Sequence, residues 1–408
     1  MRLLIIFGLS LWLGACASYT QQAREMVNAF EAQNFDLAAE RVKVFADKKD
    51  QDEALHLVEL GTIYHAWGRY KEAIEIFQQA EKLASWSDYT SISQEAGSVL
   101  VNESVKTHKL DTYERVLISM YLAIDYTMLG EWESALVEAR RVNHQLDKMI
   151  SEGHPTYTQN GFAKYLAGML FERNGEWNDA WVDYKQLYKW DPSFPLNSVG
   201  LMRMSSRLKS EEDFQRYKKT FPNASKHQLA AGEGELVLLA EVGRAPEKIP
   251  DPEFAVVPKF MPRYSQARRL RIKSQQTQTF AETHLLFDIE KAAIIDLEEK
   301  RAGMIAKRLA SIALKKAAVD AAAARSEKQQ NIESLGNMFI YLSERPDLRS
   351  WLLLPGSLQV ARMAVPVGKH DLVLEELDQT GAVIFSKPLG SVQVKPYSIN
   401  FLNARSRF

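Results

Sequence analysis

Three stretches decide the fold: Gly61-Thr62-Ile63-Tyr64-His65-Ala66-Trp67-Gly68-Arg69-Tyr70-Lys71-Glu72-Ala73, Ala123-Ile124-Asp125-Tyr126-Thr127-Met128-Leu129-Gly130-Glu131-Trp132-Glu133-Ser134-Ala135, and Gly168-Met169-Leu170-Phe171-Glu172-Arg173-Asn174-Gly175-Glu176-Trp177-Asn178-Asp179-Ala180. Aligned on Gly68, Gly130 and Gly175, they place a small residue seven before the glycine and an aromatic four before it. Another aromatic follows two after the glycine, and an alanine five after. Nine after the glycine stand Phe77, Ala139 and Tyr184, the one column that varies in size. Apolar residues recur at helical spacing from Gln22 to about Ser225, so each stretch reads as two helices joined by a tight turn. A glycine reverses the chain without a Cβ penalty, and the small residue lets the paired helix come close.

This pattern resembles the tetratricopeptide repeat, a stack of antiparallel helix pairs. A half-match at Asn34-Phe35-Asp36-Leu37-Ala38 suggests a further pair near the N-terminus, and Pro192 stands where such repeats commonly end. The reference glycines are 62 residues apart (68 to 130) and then 45 (130 to 175), so extra helices are expected between Ser91 and Leu110 and a regular superhelix is not. The resemblance implies that the first helix of each pair lines a concave face. That face would present Leu55, Val58, Thr62 and His65, then Leu117, Met120, Ile124 and Met128, then Phe162, Tyr165, Met169 and Arg173. It is mostly apolar and lacks the Lys and Asn set that resembles a carboxylate clamp. Either an apolar or amphipathic segment of a partner docks there, or the chain's own C-terminal half covers it.

Upstream, Arg2, the apolar run Leu3 to Leu13 and Leu13-Gly14-Ala15-Cys16 follow the layout of a secretory signal over residues 1–15. The run is too short for a stable span, which needs about 20 apolar residues. Its end resembles a lipobox, which implies cleavage before Cys16, a lipidated Cys16 and membrane attachment through acyl chains. Ala17 and Ser18 lack the Asp that resembles an inner-membrane retention signal, so the periplasmic face of the outer membrane is expected. Cys16 is the sole cysteine, so no disulfide forms within the chain.

The helical repeat region is expected over 16–230 and a mixed, β-rich region over 231–408. Glu235 to Val242 reads as a strand; Pro246, Pro250, Pro252, Pro258 and Pro262 then mark an extended connection. In Arg269-Leu270-Arg271-Ile272-Lys273 the cations alternate with apolar residues, giving a strand with one charged face. With Arg263 and Arg268 these cations would suit an anionic headgroup or glycan, or form a solvated strand face. A helical insertion is expected from about 289 to 342, mixed in charge and alanine-rich around Ala317 to Ala324. Strands follow as a meander, from Ser357 to Val365, His370 to Leu377, Ala382 to Ser386 and Ser391 to Lys395, with turns at Pro366-Val367-Gly368 and Asp378 to Gly381. The expected class is α+β, a helical repeat array followed by a small β-sandwich-like domain with a helical insertion.

The 408 residues carry 51 Lys and Arg against 52 Asp and Glu, a balance that gives no nucleic-acid signal. No zinc-protease, serine-hydrolase, phosphate-loop or paired-cysteine metal pattern occurs, and no cofactor or metal ligand set is expected. His284 and Asp288 stand four apart, and on a helix would share a face, but one His and one carboxylate fall short of a metal site. Gly232-Glu233-Gly234-Glu235 places acids where a phosphate cradle needs unopposed donors, so it reads as a strand entry.

Tyr113-Glu114-Arg115-Val116-Leu117, Ala135-Leu136-Val137-Glu138-Ala139-Arg140-Arg141-Val142-Asn143, Asn178-Asp179-Ala180 with Tyr184, Gly234-Glu235-Leu236-Val237, and Arg349-Ser350-Trp351 with Leu354-Pro355 together resemble an uncharacterised family of proteobacterial outer-membrane lipoproteins with tetratricopeptide repeats. The resemblance covers most of the chain. It implies a non-catalytic protein-binding adaptor, and because some members are encoded beside a lipoprotein that activates peptidoglycan synthases, it implies cell-envelope or peptidoglycan assembly as the setting. A secretion or pilus-assembly lipoprotein resembling repeat-containing pilotins is the alternative; a glycan-active enzyme would need two positioned carboxylates, which no motif here singles out.

Overall fold

The computed structural model describes residues 19–90, 107–151, 160–222, 229–325 and 329–407. Cys16 and the signal segment lie outside them, as do residues 91–106, most of the stretch where extra helices are expected. A short α1 (Tyr19–Gln22) leads into five helical hairpins: α2 (Arg24–Glu31) with α3 (Phe35–Ala46), α4 (Glu53–Ala66) with α5 (Tyr70–Thr90), α6 (Thr112–Leu129) with α7 (Trp132–Ser151), α8 (Gly161–Asn174) with α9 (Trp177–Trp190), and α10 (Asn197–Arg207) with α11 (Glu211–Thr220).

The three reference glycines close α4, α6 and α8 in the same way. Gly68, Gly130 and Gly175 have φ of 78°, 76° and 79°. Around Gly68, the Arg69 amide donates to the Tyr64 carbonyl at 2.9 Å and the Gly68 amide to His65 at 3.0 Å; the pairs Glu131 to Tyr126 with Gly130 to Thr127, and Glu176 to Phe171 with Gly175 to Glu172, repeat this. That double bond with a left-handed glycine is the Schellman termination. Ala73, Ala135 and Ala180 are fully buried. Asn34 caps α3 by accepting from the Leu37 amide at 3.3 Å, so the half-match marks a real hairpin.

The strands build two four-stranded sheets and a ribbon. The first sheet has order β10-β1-β7-β6, formed by β1 (Glu233–Val242), β6 (His284–Asp288), β7 (Ser357–Pro366) and β10 (Ile399–Arg405), with β1 and β10 parallel. The second has order β5-β4-β8-β9, from β4 (Arg269–Ser274), β5 (Phe280–Glu282), β8 (Gly368–Leu377) and β9 (Val383–Val394). Between β1 and β4 the ribbon β2 (Glu247–Pro250) pairs with β3 (Pro258–Met261), Pro250 opposite Pro258 at its end. The proline-rich stretch is therefore a short ribbon and not only a connection, because its prolines sit at the ends, where a missing N–H costs nothing.

The strand order also departs from a simple meander. β7 and β8 follow one another in sequence but belong to different sheets, the chain crossing at Pro366-Val367-Gly368 with Gly368 at φ 141°. β9 is one strand across Pro388 and Gly390, with a register shift opposite Leu372 and Val373, where the sequence reads as two strands. β6 and β7 pair antiparallel, and the helical insertion, α12 (Ile289–Ala323) and α13 (Gln329–Ser343), is an excursion between these two partners.

The result is three layers. Along β1, Leu236, Leu238, Ala240 and Val242 face the second sheet, where they meet Leu270, Ile272, Leu372 and Leu374. Val237 and Leu239 face the other way and join one continuous core with Leu358, Val360 and the helices. Strand alternation thus gives β1 two buried faces, one for each neighbouring layer.

Candidate functional site

The face expected to form a groove is the buried junction between helices and sheet. Leu55, Val58, Thr62, His65, Leu117, Met120, Ile124, Phe162, Tyr165 and Met169 are all buried. Met128 is half-buried; Arg173 alone is exposed, its guanidinium carbon 3.4 Å from the centroid of the Trp132 ring. The open groove is thus corrected: the chain's own first sheet and the segment before β7 occupy it. The physical reason is mutual. The sheet's apolar face and the helices' apolar face each need a cover, and each is the other's.

The segment from Ser350 to Gly356 lies along these helices with the amides of Trp351, Leu352 and Leu353 bonded to buried acids. Glu59 accepts from the Leu352 amide at 2.6 Å and from the Leu353 amide at 3.0 Å, and Tyr19 Oη donates to it at 3.3 Å. Burial pushes the Glu59 carboxyl up to about 8 against the pull of these donors. Glu114 accepts from the Trp351 amide at 3.3 Å, and Trp351 Nε1 donates to Thr62 Oγ1 at 2.9 Å. The Trp351 ring lies near those of Tyr121 and Phe77, with centroids 5.8 and 6.2 Å away.

Two ionic joints fasten the sheet beyond this segment. In the first, His65 on α4 meets Asp125 on α6 through Nδ1 at 2.5 Å and Glu241 on β1 through Nε2 at 2.7 Å. Tyr121 Oη donates to Glu241 at 2.9 Å, and Arg405 on β10 donates to it at 3.0 Å. Burial disfavours a charged imidazole, but the two carboxylates outweigh it and raise His65 to about 10; Glu241, buried yet facing His65 and Arg405, falls to about 2. In the second joint, Arg203 on α10 and Arg362 on β7 share Glu172 on α8 and Glu235 on β1. Arg362 reaches Glu235 at 2.7 Å and Glu172 at 3.1 Å, and Arg203 reaches them at 2.9 and 2.5 Å. Tyr184 Oη donates to Glu172 at 2.7 Å. These groups are almost wholly enclosed, so they join layers and face no cleft.

Sequence reasoning passed over these charges. Glu235 and Glu241, six apart on one face of an alternating strand, carried a signal; Glu59, Glu172, Arg203, Arg362 and Arg405 carried none without the tertiary fold.

Most of the remaining expected residues have structural partners. His284 and Asp288 lie on β6 and not on a helix; Asp288 caps α12 by accepting from the Lys291 amide at 2.9 Å, and the His284 ring meets Phe194 edge-on. Of the basic cluster, Arg263 donates to the Ala245 and Leu352 carbonyls, and Arg269 and Arg271 pair with Glu282, Arg271 also with Glu375. Gly232 to Glu235 opens β1. Among the described residues no group of three His, Cys, Asp or Glu is placed to hold a metal. The cavity beside Tyr19, Met26, Phe45 and His56 and that beside Phe30, Arg263 and Leu353 each measure about 10 Å³, room for about one water.

No family model matches the chain. No curated protein matches it either. Solved structures do match: a MamA protein at 16% identity over 52% of this chain and 96% of that one, TM-score 0.35. A tetratricopeptide repeat protein from Parabacteroides merdae matches at 16% over 50% of this chain and 67% of its own, TM-score 0.34. MamA from Desulfovibrio magneticus RS-1 matches at 14% over 50% and 94%, TM-score 0.33.

Proposed function

We propose that this chain is a non-catalytic adaptor, held by lipid on Cys16 at the periplasmic face of the outer membrane, that offers its outer surface to a protein partner in cell-envelope or peptidoglycan assembly. The observation that carries the non-catalytic part is where the buried charges go. Glu59, His65, Glu172, Glu235, Glu241 and Arg362 bond across the seam between the helices and the sheet with its leading segment. A scaffold of helical hairpins stiffened by its own sheet is suited to holding a partner at a fixed place.

The attachment rests on the lipobox resemblance at Leu13-Gly14-Ala15-Cys16. Among the described residues no helix is long and apolar enough to cross a membrane, so the thioether is the attachment this reading uses. Envelope fractionation tests it: wild type is expected in the outer-membrane fraction and Cys16→Ser uncleaved or soluble. Recovery of Cys16→Ser in the same detergent fraction as wild type would overturn the anchor. Crosslinking from intact envelopes, followed by mass identification, then tests the adaptor role, which fails if the chain captures no envelope-assembly protein.

A further inference from the structure

The hairpin of α12 and α13 is built inside out. Its seam is ionic: Glu344, just past α13, accepts from Lys315 Nζ at 2.5 Å and Ser311 Oγ at 2.8 Å, with Arg308 Nη1 at 3.5 Å, and all four are buried. Several of its large apolar side chains point outward, Leu314 53%, Leu335 63%, Met338 49% and Phe339 63% exposed. The seam is apolar at Ile340 and again toward the tip, where Gly336 packs on Val319 so closely that a Cβ would collide with a methyl. In water this distribution is unfavourable, because the groups that hydrate best are enclosed and those that hydrate worst are not. Helical spacing sets Leu314, Ala318 and Ala321 on the same side as Leu335, Met338 and Phe339. Glu333 is the single acid or base among the fifteen residues of α13.

The position of the proposed lipid site points to what covers that side. Cys16 precedes Tyr19 by three residues, a reach of at most ~11 Å. Tyr19 is fixed, its ring stacked on His56 and its hydroxyl on Glu59. Glu59 also holds Leu352 and Leu353, and Asp52 of the same region holds Arg349 at 2.6 Å, both on the segment that leaves α13. A lipid surface holding Cys16 is therefore brought close to the segment that leads out of the base of the hairpin. From Ile305 to Ala323 the helix extends about 28 Å beyond that base. Among the described residues no helix is long and apolar enough to cross a bilayer, and an outward apolar side on such a helix suits lying along one.

We propose that the outward apolar side of the α12–α13 hairpin, centred on Leu335, Met338 and Phe339, lies in the phospholipid surface that anchors the chain. The proposal rests on lipid attachment at Cys16. A Phe339→Cys variant tests both separately, because lipidation consumes the Cys16 thiol and leaves the new one alone to react. The protein is labelled with an environment-sensitive fluorophore and reconstituted into vesicles of three parts phosphatidylethanolamine to one of phosphatidylglycerol. The expected result is one label per chain, a blue shift with several-fold brightening, and quenching by acyl-chain spin labels. Val182→Cys, on the exposed face of α9, should show none of these spectral changes, and Leu335→Glu should remove them from the Phe339→Cys chain without altering its melting. Two labels per chain would defeat the anchor. A water-like spectrum at position 339, or a blue shift without lipid that grows with protein concentration, would overturn the lipid contact, the latter in favour of a second copy.

Discussion

Gly61 and Gly168 stand where an added Cβ would lie 2.7 Å from a ring carbon of Phe77 and of Tyr184 respectively. In the middle hairpin the corresponding positions hold Ala123 and Ala139, so the column that varies in size varies in step with its partner. A large ring needs glycine opposite, and alanine tolerates alanine. Gly61→Ala is therefore expected to cost about 1–3 kcal/mol through overpacking. In combination with Phe77→Ala it should cost much less than the sum, since the ring it collides with is gone. Denaturant melts of both singles and the double variant measure this; strict additivity would mean the two do not touch. Arg362→Met tests the second joint. It leaves Glu172 and Glu235 with Arg203 as their remaining cation in the joint, and losing one partner of an enclosed ionic group costs about 3–5 kcal/mol. A variant as stable as wild type would show that water reaches the joint.

At the scale of elements, the segment Ser350 to Gly356 is the least conventional piece. It has no ladder of its own there, and Glu59 and Glu114 serve its amides instead. Glu59→Gln replaces one acceptor by an NH₂ group facing an amide donor, so about 1–3 kcal/mol of stability is expected to go. The loss should show as faster hydrogen exchange at Leu352 and Leu353, with exchange in β4 and β8 unchanged. Equal acceleration everywhere would mean the segment does not open separately. The hairpins, β1, β4 and the helical insertion were legible because each is written in local periodicity and turn chemistry. The pairing of β10 with β1, the crossing between β7 and β8 and the single long β9 were not, since strand partners are chosen by tertiary packing. β9 also shows why it remains an unpaired edge: Pro388 and Lys387 blunt it. The apolar face of α4, α6 and α8 is legible as helical spacing and is buried in the structure; what lies against it depends on Trp351 and on the two acids of β1.

The whole molecule should record its buried charges in its response to pH. Glu59 is raised from 4.5 to about 8 and His65 from 6.5 to about 10. Both groups bind more protons folded than unfolded, so their stabilisation is present at low pH and is lost as pH rises through those intervals. Glu241 is lowered from 4.5 to about 2, so its contribution is present above 4.5 and is lost as pH falls toward 2. Melting temperature is expected to peak at about pH 4.5, to fall as pH rises through the Glu59 and then the His65 interval, and to fall as pH drops toward 2; a flat profile across neutral and alkaline pH would contradict the enclosed state of Glu59 and His65.

The central claim is that the helical face is closed by the chain's own sheet, and methionine oxidation reads it directly. Met120 and Met169 lie on that face and are fully buried, whereas Met261 and Met338 are 46% and 49% exposed. Treated with peroxide in detergent-free solution and mapped by mass spectrometry, the folded protein should oxidise at Met261 and Met338 while Met120 and Met169 stay reduced until denaturant unfolds it. Oxidation of Met120 and Met169 at the rate of Met338 in the folded protein would show an open groove and contradict the account.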